Sequence, residues 1–177
     1  MSVPTSPLSA EPAAPASVPE SFRQTMACVV TPVAVVTTVL GGRAHGTTVS
    51  AWVSLSMTPP MILVSLDQRS RLLGQLRESR RFGLNILSAD QAGLAETFAS
   101  KDQDKFGLLD WHYDAGLPRL GGLAGWVACD VAEFVTGGDH VVALGTVVAA
   151  EPGDAEPLSY HARRFGTHTP FPVLDGR

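Results

Sequence analysis

Apolar and polar positions alternate with the period of a β-strand along much of this chain. The clearest pair is "GWVACDVAEFV" and "HVVALGTVVAAE", which flank the turn sequence "TGGD" and therefore predict a hairpin. The stretch from Val29 to Val39 is rich in β-branched residues, and Pro32 predicts that its strand begins near Val33. Gly41-Gly42 predicts a second hairpin that returns through "RAHGTTVSA". "MILVSL" and "RFGLNIL" predict two further strands, the first of them central in a sheet.

Three segments have the pattern of short helices. "FRQTMACV" follows Ser21 as a helix cap, and "SADQAGLAETFAS" begins with Ser88 as another. "SRLLGQLRES" places three leucines at helical spacing behind Ser70. The segment from Lys101 to Gly122 is loop-rich, and the last dozen residues have little pattern. No regular βαβ alternation and no G-x-G-x-x-G motif occur, so the pattern favours a closed or partly open antiparallel barrel whose ends are covered by helices.

Length and composition narrow the class of protein. The 177 residues, 45% hydrophobic and 17% charged, are typical of one globular domain, which we place at residues 21–168. Residues 1–20, rich in Pro, Ala and Ser, and residues 169–177 are predicted to be loosely ordered tails. The net charge of −4 and the lack of a basic stripe argue against nucleic acid as a partner. No apolar run is long enough to span a membrane.

The two cysteines bear on the compartment. Cys28 and Cys129 lie far apart, each within an apolar run, so we expect two buried free thiols rather than a disulfide. The first residues also lack the basic start and apolar run of a secretory signal. Both observations favour a cytoplasmic protein.

The stretch "HGTTVSAWVSLSMTPP", His45 to Pro60, carries six hydroxyl side chains and no charged one. A continuous strand would place Thr48, Ser50, Ser54 and Ser56 on one face. Such a face suits a bulky polar heterocycle, because small side chains allow close approach to the backbone and hydroxyls both donate and accept hydrogen bonds. The alternative is a Ser/Thr-rich edge strand and its turn.

Three other places could carry function. A helix that begins at Ser70, beside Arg69 and Arg71, would bind an anion such as a phosphate, although a capped surface helix has the same pattern. His140 lies at the mouth of the last hairpin, where an ordinary strand-end residue is the alternative. Phe106 is a large aromatic residue in a predicted loop. Metal-spaced Cys/His clusters, G-x-S-x-G and the P-loop are all absent from the sequence.

Together these segments resemble the short-chain flavin reductases of two-component monooxygenases. The matching pieces follow in the family's order over roughly residues 21 to 165: "FRQTMA", "VAVVTT", "HGTTVSAWVSLSMTPP", "MILVSL", "RFGLNIL", "LAETFA", "DKF" and "GGDHVVALG". The resemblance implies a mainly β fold, an antiparallel split β-barrel of the FMN-binding type with short flanking helices. It also implies a homodimer with flavin sites near the subunit interface and a partner monooxygenase that receives reduced flavin.

The same resemblance implies roles for individual residues. His140 would lie near the nicotinamide, and Phe106 would border the flavin or the pyridine nucleotide. The isoalloxazine and ribityl chain would contact Thr37, Thr48, Val49, Ser50, Ala51 and Ser54. The flavin phosphate would lie near Ser65, Asp67, Ser70 and Arg71. Many relatives carry Asn at the position of Ser50 and Phe at that of Trp52, so this chain has a shorter polar group and a larger ring there.

The cofactors implied are FAD or FMN together with NADH. NADPH is less favoured, because the sequence has no obvious basic cluster for a 2′-phosphate. Two other functions fit the same residues: a flavin-binding carrier or sensor without turnover, and a split-barrel oxidase that acts directly on an organic substrate.

Overall fold

The computed structural model describes residues 17–102 and 104–171. The predictions for residues 1–16 and 172–177 therefore lie outside the described residues. The helices are α1 (Val18–Ala27), α2 (Arg71–Ser79) and α3 (Ala92–Ala99). The strands are β1 (Thr31–Pro32), β2 (Ala34–Leu40), β3 (Arg43–Val49), β4 (Trp52–Met57), β5 (Pro60–Asp67), β6 (Arg81–Ile86), β7 (Trp111–Asp114), β8 (Leu117–Leu120), β9 (Gly125–Gly137), β10 (His140–Pro152), β11 (Leu158–His161) and β12 (Arg164–Thr167).

Seven strands form one antiparallel sheet in the order β3-β2-β6-β9-β10-β5-β4. The two edge strands, β3 and β4, do not pair with each other, yet only Ser50 and Ala51 separate them in the chain. Two residues cannot cross a flat seven-stranded sheet, since neighbouring strands lie about 4.8 Å apart. The sheet must therefore curl until its edges meet, and the result is a barrel that stays split between β3 and β4.

The inner face of the curled sheet encloses the larger core. Alternate residues of the strands point inward, as Ala34 and Val36 of β2 and Phe82 and Leu84 of β6 do. Helix α2 packs against them with the three leucines that the sequence predicted to be helical, Leu72, Leu73 and Leu76, all of them buried. Burying such side chains contributes about 1.5–3 kcal/mol each, so α2 is held firmly against the barrel.

A second core lies on the outer face of the same sheet. Val35 of β2 and Trp126 and Ala128 of β9 face outward, where α3, β11 and the β7–β8 hairpin cover them. Among residues 17–102 and 104–171, no helix or hairpin covers the remaining outer face, formed by β4, β5 and β10, and Val53 there is 51% exposed. The fold therefore buries one half of the outer sheet surface and leaves the other half open.

Asn85 fastens the β7–β8 hairpin to the barrel. It is fully buried in β6, and its side-chain oxygen accepts a hydrogen bond of 2.9 Å from the backbone N–H of Leu120. Its amide nitrogen donates to the Val35 carbonyl and to Thr37 Oγ1, while Thr37 Oγ1 donates to the Pro118 carbonyl at 2.7 Å. Buried polar groups cost about 1–3 kcal/mol each when left unpaired, so these bonds fix the hairpin's position.

The strands and hairpins expected from alternation and Gly-Gly are confirmed, and so is the predominantly antiparallel β fold. Two predicted helix caps are wrong. Helix α1 begins at Val18 behind Ser17, so residues 18–20 belong to the helix rather than to a tail. Helix α3 begins at Ala92, because the backbone of Ser88 forms a β-bridge with Pro157 instead.

Four strands were not predicted: β7 and β8 lie in the segment expected to be loop-rich, and β11 and most of β12 lie where the sequence carried no prediction. The hairpins β7–β8 and β11–β12 turn at Ala115-Gly116 and at Ala162-Arg163, and each of these residues has a positive φ. Ala and Arg rarely adopt that conformation, so the Ala162-Arg163 turn lacks the Gly or Asn that marks a hairpin in a sequence, and the β7–β8 turn has only the single Gly116.

The cysteine prediction is half right. Cys129 is buried, and burial raises the pKa of its thiol to about 12, whereas Cys28 is exposed at the end of α1. Both are free thiols. Within the described ranges, no helix has the length and apolar character needed to cross a membrane.

Candidate functional site

A groove of about 1130 Å³ runs along the edge strand β3. Helix α2 forms one wall, and residues 100–102 and 104–106 form the other together with β7. Five cationic side chains line it: Arg43, Arg69, Arg71, Lys101 and Lys105. They outnumber the two carboxylates, Asp102 and Asp104, so the groove is electropositive and suited to an anionic ligand.

The start of α2 supplies the clearest anion site in the groove. Ser70 occupies the N-cap position but its side chain makes no capping bond, and no acidic residue lies in the first turn. The first backbone N–H groups of the helix are therefore not satisfied by a cap, and the helix dipole favours negative charge there. Ser70 and Arg71 both line the groove at this end. The predicted phosphate position at these two residues thus has donors, a cation and open space.

Lys105 fastens the opposite wall to the edge strand. Its Nζ donates to the Phe98 carbonyl at 2.7 Å and to the Gly46 carbonyl at 3.5 Å. Burial lowers the pKa of Lys105, with a further contribution from the nearby charge of Arg71. The Phe98 carbonyl lies in the last turn of α3, where the helix dipole favours a cation. Lys105 therefore serves both as an anchor and as part of the groove's positive charge.

A chain of aromatic rings supports the same wall. Phe98, Phe106, Trp111 and Tyr113 follow one another with ring centroids 5.1 Å apart, each pair edge to face. The Trp111 indole N–H donates to the Phe106 carbonyl at 3.1 Å. Phe106 is only 8% exposed, so it borders the groove mainly as a packed core residue.

His45 and Gln75 meet across the groove. Gln75 Nε2 lies 2.8 Å from His45 Nδ1, which ties the middle of α2 to β3. Both side chains line the groove, and both are half-buried. The pair offers the floor of the groove a polar, uncharged surface beside the cations.

The hydroxyl-rich stretch does not form one continuous face. The strand is interrupted at Ser50-Ala51, between β3 and β4, so Thr48 and Ser54 lie on opposite edges of the split. Ser50, Ala51 and Ser54 are exposed there, whereas Val49 is buried in the barrel core. Thr48 Oγ1 donates to the Ala95 carbonyl of α3 at 2.6 Å, so this hydroxyl is already used within the chain.

Three predicted residues lie outside the groove on the outer face of the sheet. His140 and Asp67 are partners in the β10–β5 register, and Ser65 precedes them on β5, where its N–H donates to the Ala51 carbonyl. His140 Nδ1 lies 2.7 Å from Asp139 Oδ1, and this contact lowers the pKa of Asp139. Asp67 accepts hydrogen bonds from the side chain and backbone of Arg69, which lower the pKa of Asp67 to about 2. Arg69 thus connects this cluster to the groove.

Thr37 lies beneath the site rather than in it. The residue is fully buried, and its hydroxyl is bonded to the Pro118 carbonyl and to Asn85. Its structural effect is to hold the β7–β8 hairpin, which carries Trp111 and Tyr113 into the groove.

The sequence did not point to several residues of the groove. Arg43, His45, Gln75, Lys105, Trp111 and Tyr113 all line it. Only the mixture of polar and aromatic residues between Lys101 and Gly122 hinted at the last three. In the part of the chain that the structure describes, no group of three or more His, Cys, Asp or Glu side chains is arranged to hold a metal ion.

The curled antiparallel sheet with an electropositive groove along its edge defines a split β-barrel suited to a phosphate-bearing ligand. The chain belongs to the flavin reductase-like domain family, which matches residues 26–169. The resemblance found in the sequence is thereby confirmed, as are the split-barrel fold and the classification as an oxidoreductase of the flavin reductase class.

Three known proteins show the range of this similarity. The reductase component of a 4-nitrophenol 4-monooxygenase/4-nitrocatechol 2-monooxygenase from Rhodococcus opacus is 39% identical over 150 residues, covering 85% of this chain and 81% of that protein. An NADH:riboflavin 5′-phosphate oxidoreductase from Streptomyces pristinaespiralis is 35% identical, covering 90% and 94%. A solved NADH:FAD oxidoreductase from Streptomyces globisporus, in complex with NAD and FAD fragments, is 27% identical with a TM-score of 0.81, covering 89% and 96%.

Substitution of Gly46 by Ala tests how tightly the groove wall is packed. A methyl group at this position would lie 2.8 Å from Phe98 Cε1 and 3.4 Å from Phe106 Cζ. Gly46→Ala must therefore displace the rings, and we expect the free energy of unfolding to fall by about 1–3 kcal/mol in denaturant titrations. Gly74→Ala is the matched control: it adds the same methyl to α2, where nothing lies within 4 Å, and should stabilise by about 0.5–1 kcal/mol. Equal stability of Gly46→Ala and wild type would contradict the tight packing.

Proposed function

We propose that the protein is an NAD(P)H-dependent flavin reductase that transfers hydride from NADH to FAD or FMN and supplies reduced flavin to a partner monooxygenase. The observation that carries this proposal is the uncapped start of α2 with Arg71 in an electropositive groove along β3, the edge strand that leads into the small exposed residues Ser50 and Ala51. The relatives include a monooxygenase reductase component and two oxidoreductases whose names contain NADH.

The phosphate end fits a flavin nucleotide. The N–H groups at the start of α2 and the Arg71 guanidinium would hold the phosphate, with Ser70 as an additional donor. Arg71 forms no ion pair with any residue in the ranges 17–102 and 104–171, so its charge is available to a ligand. Arg69, by contrast, is occupied by Asp67.

The split between β3 and β4 fits the ring system. Edge strands present backbone N–H and C=O groups that no neighbouring strand uses. The exposed residues there, Ser50, Ala51 and Ser54, are small and allow a flat heterocycle to approach the backbone. Backbone donors and the Ser hydroxyls would stabilise negative charge that develops on the ring. Bound flavin supplies the hydride-accepting chemistry, and the protein supplies binding, orientation and electrostatics.

NADH is the proposed reductant. The sequence favoured NADH over NADPH because it shows no basic cluster for a 2′-phosphate, but this reason does not hold in the folded chain. The sequence lacks a basic cluster, but folding brings five cationic side chains into one groove. The preference for NADH is instead supported by the relatives whose names contain it. Anaerobic mixing with NADH or NADPH, with FMN or FAD present, would measure the choice through loss of the flavin's visible absorption.

Arg71→Ala should weaken flavin binding. Loss of a charged hydrogen bond to the phosphate costs about 1.5–3 kcal/mol, so we expect the Kd for FMN to rise by roughly one to two orders of magnitude. Arg77→Ala on the same helix is the matched control, since Arg77 is exposed and does not line the groove. Titration of flavin fluorescence measures both variants. Identical affinities for Arg71→Ala and Arg77→Ala would place the phosphate elsewhere.

His140 is proposed to orient the nicotinamide. Asp139 holds its Nδ1 at 2.7 Å, which leaves Nε2 to meet a ligand, and Asp67 lies opposite it in the strand register. We expect His140→Ala to raise the KM for NADH or to slow hydride transfer in anaerobic stopped-flow measurements. His112→Ala is the control, because His112 is exposed on β7 and does not line the groove. Flavin reduction at the wild-type rate in His140→Ala would remove His140 from the reaction.

The uncovered half of the sheet is proposed to form a homodimer interface. Val53, Leu63, Leu144, Val142 and Val135 lie on the outer faces of four neighbouring strands. Val53 and Val135 are exposed, and the other three are half-buried. Contiguous apolar surface of this kind is typical of protein–protein contacts. Burial of this face by a second copy would complete a cover that α3 and the β7–β8 hairpin provide only for the other half.

Light scattering during size-exclusion chromatography tests the dimer. The wild-type protein should have twice the mass of one chain, and Val53→Asp should be monomeric because a buried unpaired carboxylate is strongly unfavourable. Leu108→Asp introduces the same charge at a fully exposed loop position and should leave the mass unchanged. A monomeric wild-type protein at micromolar concentration would overturn this part of the proposal.

A further inference from the structure

We infer that the end of the groove formed by Trp111 and Tyr113 binds the adenosine diphosphate moiety of a dinucleotide. The inference rests on the proposed function and goes beyond it. A flavin mononucleotide and a nicotinamide ring have no such moiety, whereas FAD and NADH share it. The two relatives that name a flavin differ in this respect, one naming riboflavin 5′-phosphate and the other FAD. Whether this chain binds an adenosine diphosphate moiety therefore depends on its own residues.

The aromatic chain ends in an exposed ring. Phe98 is fully buried, Phe106 is 8% exposed and Trp111 is half-buried, while Tyr113 is 53% exposed. The first three have packing partners in the outer core, but Tyr113 packs only edge to face on Trp111 among the aromatic contacts of the described residues. Both Trp111 and Tyr113 line the groove. A large ring at the mouth of an electropositive groove offers a surface for a stacked base.

This aromatic surface is held rigidly. Asp114, next to Tyr113, accepts a 2.7 Å hydrogen bond from Arg119, and Arg119 also binds Glu151 of β10 through two nitrogen atoms. These bonds raise the pKa of Arg119. Together with the bonds of Thr37 and Asn85 to β8, they fix the β7–β8 hairpin before any ligand arrives. A preorganised surface loses little entropy on binding.

The groove also carries more available positive charge than one phosphate requires. Lys105 is used by two carbonyls and Arg69 by Asp67. Arg71, Arg43 and Lys101 remain without an ion-pair partner among the residues that the structure describes. Arg71 lies at the start of α2, and Arg43 lies at the far end of β3 beside the hairpin turn. The cations are thus spread along the groove, so more than one anionic group can be accommodated there.

The two carboxylates of the groove make hydrogen bonds within their own segment of the chain. Asp102 Oδ2 accepts a hydrogen bond from Ser100 Oγ. Asp104 Oδ1 accepts the backbone N–H groups of Phe106 and Gly107. Both carboxylates therefore lie in the segment that precedes Phe106, on the wall opposite α2, and they are outnumbered by the four lining cations that are not paired with Asp67: Arg43, Arg71, Lys101 and Lys105.

Tyr113→Ala tests the inference in the full-length protein, with Kd values from calorimetry for ADP, FMN and FAD and a KM for NADH. Base stacking on an aromatic side chain predicts a loss of ADP affinity of about tenfold or more. FMN affinity should stay within twofold of wild type. A matching loss for FAD assigns the site to the flavin, and a matching rise in the KM for NADH assigns it to the reductant. Tyr113→Phe keeps the ring and should bind ADP like wild type.

Phe171→Ala is the matched control, because it removes an exposed ring that does not line the groove. Absence of ADP binding to wild type, or equal ADP affinity in wild type and Tyr113→Ala, overturns the inference. An equal loss of FMN and FAD affinity also overturns the inference, since the Tyr113 ring would then contact the flavin mononucleotide part that FMN and FAD share. Failure of wild type to bind or reduce any flavin would instead refute the proposed function, so the two failures are distinguishable.

Discussion

The two-residue connection between β3 and β4 is the constraint on which the rest of this structure depends. Seven antiparallel strands could form an open sheet, but the sheet's two edges are consecutive in the chain and only Ser50-Ala51 lies between them. Closure is therefore dictated by covalent connectivity, and no ladder of hydrogen bonds joins β3 to β4. The small exposed residues Ser50 and Ala51 lie at this junction.

Closure also explains why the groove lies where it does. Helix α2 follows β5 and packs its leucines into the barrel, which brings its first turn beside the edge strand β3. Asn85 and Thr37 then hold the β7–β8 hairpin on the outer side of β2 and β6, so that Trp111 and Tyr113 face the same groove. Cationic and aromatic residues from distant parts of the sequence thus meet only because the sheet curls.

The strands with strict alternation and Gly-Gly turns could be predicted from sequence. Burial of alternate positions requires an apolar residue at every second position, and a positive φ angle favours Gly. The β7–β8 and β11–β12 hairpins were not predicted: Ala162 and Arg163 adopt positive φ without the usual turn residues, and Gly116 is preceded by Ala115 rather than by a second Gly or an Asn. Ser70 and Arg71, which the family resemblance assigned to the flavin phosphate, line the groove, whereas Thr37 lies beneath it. The groove positions of Arg43, His45 and Tyr113 depend on tertiary contacts, which no local sequence pattern predicts.

The unpaired junction between β3 and β4 has a consequence for turnover. A barrel sealed by a continuous ladder would have to break backbone hydrogen bonds each time a large planar molecule entered or left. Here the edges are already separate, so loading and unloading require no local unfolding. For a catalyst whose product is consumed by another protein, the permanent seam removes a kinetic barrier to release and lets the barrel remain rigid throughout each cycle.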